Sequence, residues 1–218
     1  MAVRTKRPAG ERTRAAILHE AVSLATVEGL EGLSIGTLAS ALDMSKSGLY
    51  AHFGSKEALQ LATVDEAGRV FEAEVIDPAL AAPPGVDQLV AVCEAFFEHL
   101  ERRRFPGGCF FAGAVLEMGA RPGPVNERIV AFQSSFIALV RQFVARAQEL
   151  GEVAEDEDPD QLTFELNGII LAANMTFILH QDPRSLDLAR QVVRRRLGVT
   201  EAGASGADVG REVFAGQG

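Results

Sequence analysis

LASALDMSKSGLYAHFGSKEAL, residues 38–59, decides how the rest of the chain is read. Leu38, Ala39 and Leu42, with Ile35 before them, lie at helical spacing on a short helix. Ser34 opens it, its side-chain oxygen free to take a backbone N–H. Asp43-Met44 turns the chain, and Ser45 caps a third helix on which Leu49 and Phe53 face inward. Gly54-Ser55 breaks it, and a longer helix starts at Lys56. Upstream, Ile17, Ala21, Leu24 and Ala25 share one face of a helix from about Glu11 to Glu28, with Gly29 as its stop. Three short helices over residues 11–53, the last two joined by a tight turn, make a helix-turn-helix, whose last helix enters the major groove of DNA.

Burying Leu49 and Phe53 leaves Lys46, Ser47, Gly48, Tyr50, Ala51 and His52 on the outside of the third helix. Lys46 suits a phosphate or a guanine edge, Ser47 a phosphate or a base. Tyr50 and His52 offer a flat apolar body with a hydrogen-bonding tip. Gly48 weakens the helix by about 1 kcal/mol relative to Ala; lacking a side chain, it lets backbone approach DNA. Lys56, with the free N–H groups of its helix start, makes a phosphate site. Plainer readings stand beside these: Tyr50 packed on the first helix, His52 and Lys56 simply solvated.

Charge is divided to match. The chain is net −9, yet residues 1–60 carry seven Lys/Arg against six Asp/Glu, and all three lysines (Lys6, Lys46, Lys56). Arg4, Lys6, Arg7, Arg12 and Arg14 crowd into the first fourteen residues. A basic end on an acidic body orients the protein toward a polyanion and limits non-specific binding by the rest.

The 38–59 run resembles the DNA-binding signature of TetR-family regulators at Ala39, Met44, Ser45, Tyr50, His52, Phe53, Ser55, Lys56 and Leu59. The detailed likeness covers about residues 12–60. It departs at Asp43, where the family usually has glycine, and at the bulkier Leu42; Asp tolerates the left-handed conformation better than most residues. The resemblance implies groove contacts from Lys46, Ser47, Gly48 and Tyr50, with Ser45 at the helix start. It also implies backbone contacts from His52 and Lys56, and a phosphate bond from Thr37. GGCFFAGAVLE and RPGPV, within residues 107–125, are similar to a segment of one branch of that family. Repression, rather than activation, is what the resemblance implies, as is a two-fold interface made by the last two helices.

Beyond residue 56 the pattern is helical and no segment alternates as a strand does, so the fold expected is all-α, about nine helices. The domains are a basic arm at 1–10, the DNA-binding module at 11–56, an effector-binding and dimerisation domain at 57–198, and a disordered tail at 199–218. The fourth helix runs from Lys56 toward Val75, with Pro78, Pro83, Pro84 and Gly85 marking its end. Arg102-Arg103-Arg104 closes the next helix, where cations favour the macrodipole. Cys109–Met118, 125–150, Pro159 to about His180, and 184–197 follow.

Eleven phenylalanines lie within residues 57–198. A pocket for a small apolar effector is expected among Phe71, Phe96, Phe97, Leu100, Cys109, Phe110, Leu116, Phe132, Phe136 and Leu171, with Asn167 and Asn174 as polar groups. Those amides serve equally well as helix-to-helix bonds. Leu162, Leu166, Ile169, Ile170, Ala173, Leu186, Ala189 and Val193 are too many apolar positions for two terminal helices unless covered, and are taken as the interface of a homodimer.

Other classes fare worse. His19, His52, His99 and His180 build no HExxH or similar metal motif, and GxSxG and P-loop motifs are missing. No enzyme, metal or cofactor is expected; the surviving alternative is a helical small-molecule-binding protein without DNA binding. Cys93 and Cys109 read as two buried thiols, with redox sensing as the other possibility. No apolar run is long enough to span a bilayer, and the basic N-terminus lacks a following apolar stretch and cleavage site. No membrane partner and no signal peptide are expected, which puts the protein in the cytoplasm.

Overall fold

The computed structural model describes residues 9–199, so the basic arm up to residue 8 and the tail from residue 200 lie outside the described residues. Among the described residues all regular structure is helical, in nine helices: α1 (Ala9–Gly32), α2 (Ile35–Ala41), α3 (Lys46–Phe53), α4, α5 (Val86–Glu101), α6 (Phe110–Met118), α7 (Pro124–Glu149), α8 (Pro159–His180) and α9 (Arg184–Arg196). Helix α4 runs over Lys56–Phe71, through a wide π turn at Glu72–Ile76, and on through Asp77–Ala81.

Local chemistry sets the first three ends. Gly29 takes φ +77°, a left-handed conformation, and breaks α1 where the glycine stop was expected. Ser34 and Thr37 form a capping box: the Ser34 hydroxyl accepts from Thr37 N–H at 3.1 Å, and Thr37 Oγ1 accepts from Ser34 N–H at 2.9 Å. Asp43 occupies φ +52°, the conformation its position demands in place of glycine. Ser45 and Ser55 cap α3 and α4.

Helix α4 passes Pro78 without ending, contrary to expectation. A proline inside a helix lacks one donor and collides with the carbonyl four residues back. The π turn widens the helix immediately before Pro78 and makes that room. It also turns Glu74 into the interior, where its carboxylate holds His99 Nδ1 at 2.6 Å and Arg104 Nη2 at 2.8 Å. Two of the 102–104 triplet are thereby tied inward as well as placed at a helix end, Arg104 by Glu74 and Arg103 over the Phe177 ring at 5.2 Å, while Arg102 pairs with the exposed Glu98 of its own helix.

Helices α4 to α8 enclose a core of phenylalanines. Phe71 sits at its centre, meeting Phe96, Phe111, Phe132 and Phe136 edge-on at 5.2–6.2 Å, while Phe111 and Phe132 stack at 3.7 Å. Arg190 of α9 fastens that helix to α5 through Glu94 (2.8 Å) and Glu101 (2.9 Å). Two helices, α7 and α8, are long and apolar enough to cross a membrane, against the expectation that no stretch would be. Both lay one face into the bundle, burying Phe136, Val140 and Phe143 on α7 and Leu162, Leu166 and Ile170 on α8.

Candidate nucleic-acid interface and its link to the bundle

Helix α3 presents the side chains its spacing predicts. Leu49 and Phe53 are buried, Lys46, Ser47 and Tyr50 point to solvent, and Tyr50 is 58% exposed despite its size. A ring so exposed is not packed against α1. His52 is half-buried, 6.2 Å from the Phe53 ring. Lys46 extends over Gly36 of α2. Ser45 Oγ accepts from Gly48 N–H at 3.1 Å, and a Cβ at Gly48 would lie 3.1 Å from that oxygen. Glycine there protects the cap as well as keeping the helix surface low.

Two predicted contacts are already engaged. The Thr37 hydroxyl is committed to the capping box, with Ser34 O at 3.0 Å as well. Lys56 Nζ donates to Glu31 O at 2.7 Å and pairs with Glu31 Oε2 at 3.2 Å. That ion pair and hydrogen bond hold the Glu31 carboxyl below the usual carboxylate range. A phosphate at Lys56 therefore competes with Glu31.

Glu31 belongs to a junction that sequence reasoning missed. Glu117, at the end of α6, accepts from Leu30 N–H and Glu31 N–H, one through each oxygen, both at 2.8 Å. These donors are freed by the break at Gly29, where a Cβ would lie 2.7 Å from the Glu117 carboxylate. Gln60 of α4 donates to Leu30 O at 2.6 Å, and Arg121 pairs with Glu31 at 3.3 Å. At the other end of α6, Gly107 N–H donates to Thr26 Oγ1 at 3.2 Å, and Cys109 N–H to Asn174 Oδ1 of α8 at 3.0 Å. Helix α6 thus bridges α8 to α1. Its bonds join residues more than 60 positions apart, so no local period announces them; the GGCFFAGAVLE run was their trace.

The expected pocket residues separate. Phe71, Phe96, Phe132 and Phe136 belong to the central cluster, with Phe110 beside Phe111. Phe97 is buried beneath Arg190, and Leu100 and Cys109 are buried too. Leu116 is 89% exposed and Leu171 is exposed, so neither lines an interior pocket: helical spacing shows which positions share a face, not which face turns inward. Asn174 is spent on Cys109.

The interface set needs a similar correction. Leu162, Leu166, Ile170, Ala173, Leu186, Ala189 and Val193 are buried within the protomer and only Ile169 is half-buried. The apolar positions these helices leave uncovered are others: Phe164 (77% exposed), Leu171, Met175 and Leu179 (72%) along α8, and Leu188 and Val192 on α9. A groove of about 520 Å³ runs between the two helices, lined by Ile169, Ala172, Thr176, Leu188 and Val192 among others.

Burial pushes the Cys93 thiol up from 9.0 to about 12 and Cys109 to about 11. Only the thiolate attacks electrophiles. At pH 8 the folded protein should react with Ellman's reagent roughly a hundredfold more slowly at Cys109 and a thousandfold at Cys93 than an unfolded thiol, followed by absorbance with and without denaturant. Rapid titration of either thiol in the native protein would contradict this.

Comparison with known proteins agrees with the geometry. Residues 17–63 match the family described as bacterial regulatory proteins, tetR family, and residues 85–193 match the tetracyclin repressor-like C-terminal domain. The transcriptional regulator AcuR of Cereibacter sphaeroides is 25% identical over 141 residues, which span 63% of each chain. A TetR transcriptional regulator from Chloroflexus aurantiacus superimposes with a TM-score of 0.79 at 25% identity, over 87% of this chain and 96% of its own. AibR, in complex with isovaleryl coenzyme A and operator DNA, superimposes with a TM-score of 0.66 at 24% identity, over 83% and 95%; that likeness is one of fold.

Proposed function

Because this chain belongs to the tetR family of bacterial regulatory proteins, we propose that it represses transcription by binding a palindromic operator as a two-fold dimer, and releases it when a small apolar molecule occupies the bundle. The observation that carries the reading is the outward face of α3, with Tyr50 exposed beside Lys46 and Ser47. The uncovered stripe of Phe164, Leu171, Met175 and Leu179, continued by Leu188 and Val192, is the face offered to a second copy. Ligand enters the argument through α6, which joins the bundle at Asn174 and the DNA-reading module at Glu117. A ligand shifts that module only as far as it binds the two arrangements differently. AibR, crystallised with both an acyl coenzyme A and operator DNA, supports the pairing of the two ligands on this fold.

The test is selection from a random duplex library. The wild type should enrich a palindrome, and Lys46→Ala and Tyr50→Ala should bind it about 10- to 100-fold more weakly while remaining folded dimers by sedimentation at micromolar concentration. Affinity should fall steeply with added salt. Unchanged affinity in both variants would remove α3 as the reading helix. No enrichment by a folded dimer would leave the bundle as a ligand-binding protein without DNA.

A further inference from the structure

Between α5, α7 and α8 lies a small cavity, about 10 Å³ to the centre of a water-sized sphere. Its apolar wall includes Val92, Phe136, Val140 and Ile170; its polar groups are Thr163 and Asn167, one helical turn apart on the same face of α8. Thr163 is 3% exposed, and its Oγ1 has no hydrogen-bond partner among the described residues. That is a departure from what helical threonines do here. Thr63 donates to Leu59 O at 2.8 Å and Thr176 to Ala172 O at 2.7 Å, each bonding the carbonyl four residues back. A buried hydroxyl without a partner is costly, so one that forgoes its local acceptor is placed for something else.

The wall has one shared panel. Phe136 lines this cavity and also the outer groove of about 600 Å³ between α4 and α7. Its ring stands 5.2 Å from Phe71 at the centre of the aromatic cluster. Phe136 is thus the one side chain common to the groove, the cavity and the aromatic cluster.

The lining also states what cannot enter. No Lys, Arg, His, Asp or Glu contributes to it, and Cys93, the remaining ionisable group, stays a neutral thiol. A carboxylate or phosphate brought here would lose its water and meet no cation. A carbonyl oxygen can accept from the Thr163 hydroxyl and the Asn167 amide, and an alcohol can accept and donate.

We propose that this cavity is the effector's seat, that the effector is a neutral molecule with a single carbonyl or hydroxyl group on an apolar frame, and that it enters by displacement of Phe136. The word effector rests on the regulator reading; the site does not.

The experiment uses the full chain with labelled methyl groups, titrated with cyclohexanone and hexan-2-one, and with cyclohexanecarboxylate as the charged counterpart. The two ketones should shift the methyl resonances of Val92, Val140 and Ile170, and the carboxylate should leave them in place. Thr163→Val keeps the shape and removes the hydroxyl. It should weaken ketone binding about tenfold, and it should raise the thermal midpoint, because a methyl replaces an unpartnered polar group. Unmoved methyls with both ketones, an equal response to the carboxylate, or a lowered midpoint in Thr163→Val (a hydroxyl held by structural water) would each overturn the site. Repeating the titration on the complex with the selected operator separates the two claims. Methyl shifts without release of DNA uphold the site and sink the effector reading. Release of DNA by a molecule that leaves these methyls unmoved sinks the site and spares the regulator.

Discussion

Gly107→Ala should lower stability by roughly 3 kcal/mol or more. In a chain of this size that is about 6–12 °C in the thermal midpoint. The reason is a backbone approach rather than a conformational preference. A Cβ at position 107 would stand 1.8 Å from Thr26 O and 2.4 Å from the carbon that bears it. Neither atom can swing away, as a side-chain tip can. The loop before α6 must lift from α1, losing the bond from Gly107 N–H to Thr26 Oγ1 and the burial of Phe105 beside His19. Thermal unfolding followed by circular dichroism decides the matter; a midpoint within a degree of wild type would mean the loop does not rest on α1. Gly113→Ala is the control, since a Cβ there meets nothing within 4 Å.

Glu117→Ala should remove both anchors of the segment after Gly29 at once. Hydrogen bonds to a charged group contribute about 1.5–3 kcal/mol each, and the Glu31 bond is exposed and worth less. A loss of roughly 2–3 kcal/mol follows, or about 4–12 °C. Glu117→Gln keeps one acceptor for one of the two N–H groups and should fall between. The second readout is functional. With the segment freed, Leu30 O and Glu31 O, which hold Gln60 and Lys56, lose their fixed positions, and with them the seating of α2 and α3 on α4. Affinity for the selected operator should therefore drop in the folded variant, and an effector should change it less than in the wild type, because coupling between two sites needs a connection that both arrangements feel. Full coupling in Glu117→Ala would relocate the connection to α4 alone.

What was legible in the sequence was what neighbours in the chain decide together. Ser34 and Ser45 as helix caps, Asp43 in its left-handed turn and Gly29 as a stop are all settled within four residues. The run of helices was legible for the same reason. Facing was not. Leu162 and Phe164 are both apolar on α8, and one is buried in the protomer while the other is exposed. Only the packing of α5, α7 and α9 against α8 separates them. Leu116 was chosen for the interior where its neighbour Glu117 makes the decisive contacts, because apolarity ranks a residue for burial and says nothing of an acceptor reaching across 87 positions. Pro78 was read as a break because a proline breaks an ordinary helix, and a π turn is invisible in composition. Asn167 and Asn174 stand out in the sequence as amides on an apolar helix, while Thr163, whose buried hydroxyl lacks a partner among the described residues, does not.

The π turn at Glu72–Ile76 also bears on how this chain's length can vary. A π turn winds about one residue more into a revolution than an α turn does. The surplus residue is thus taken up as girth, and the two stretches of α4 on either side stay in angular register. A chain one residue shorter at this point would still aim Leu59 and Thr63 toward the core below the DNA-reading module. It would surrender the inward reach of Glu74, the carboxylate between His99 and Arg104, and the room that the wide turn makes for the Pro78 ring. The long helix can lose that residue without rotating the DNA-reading module against the bundle.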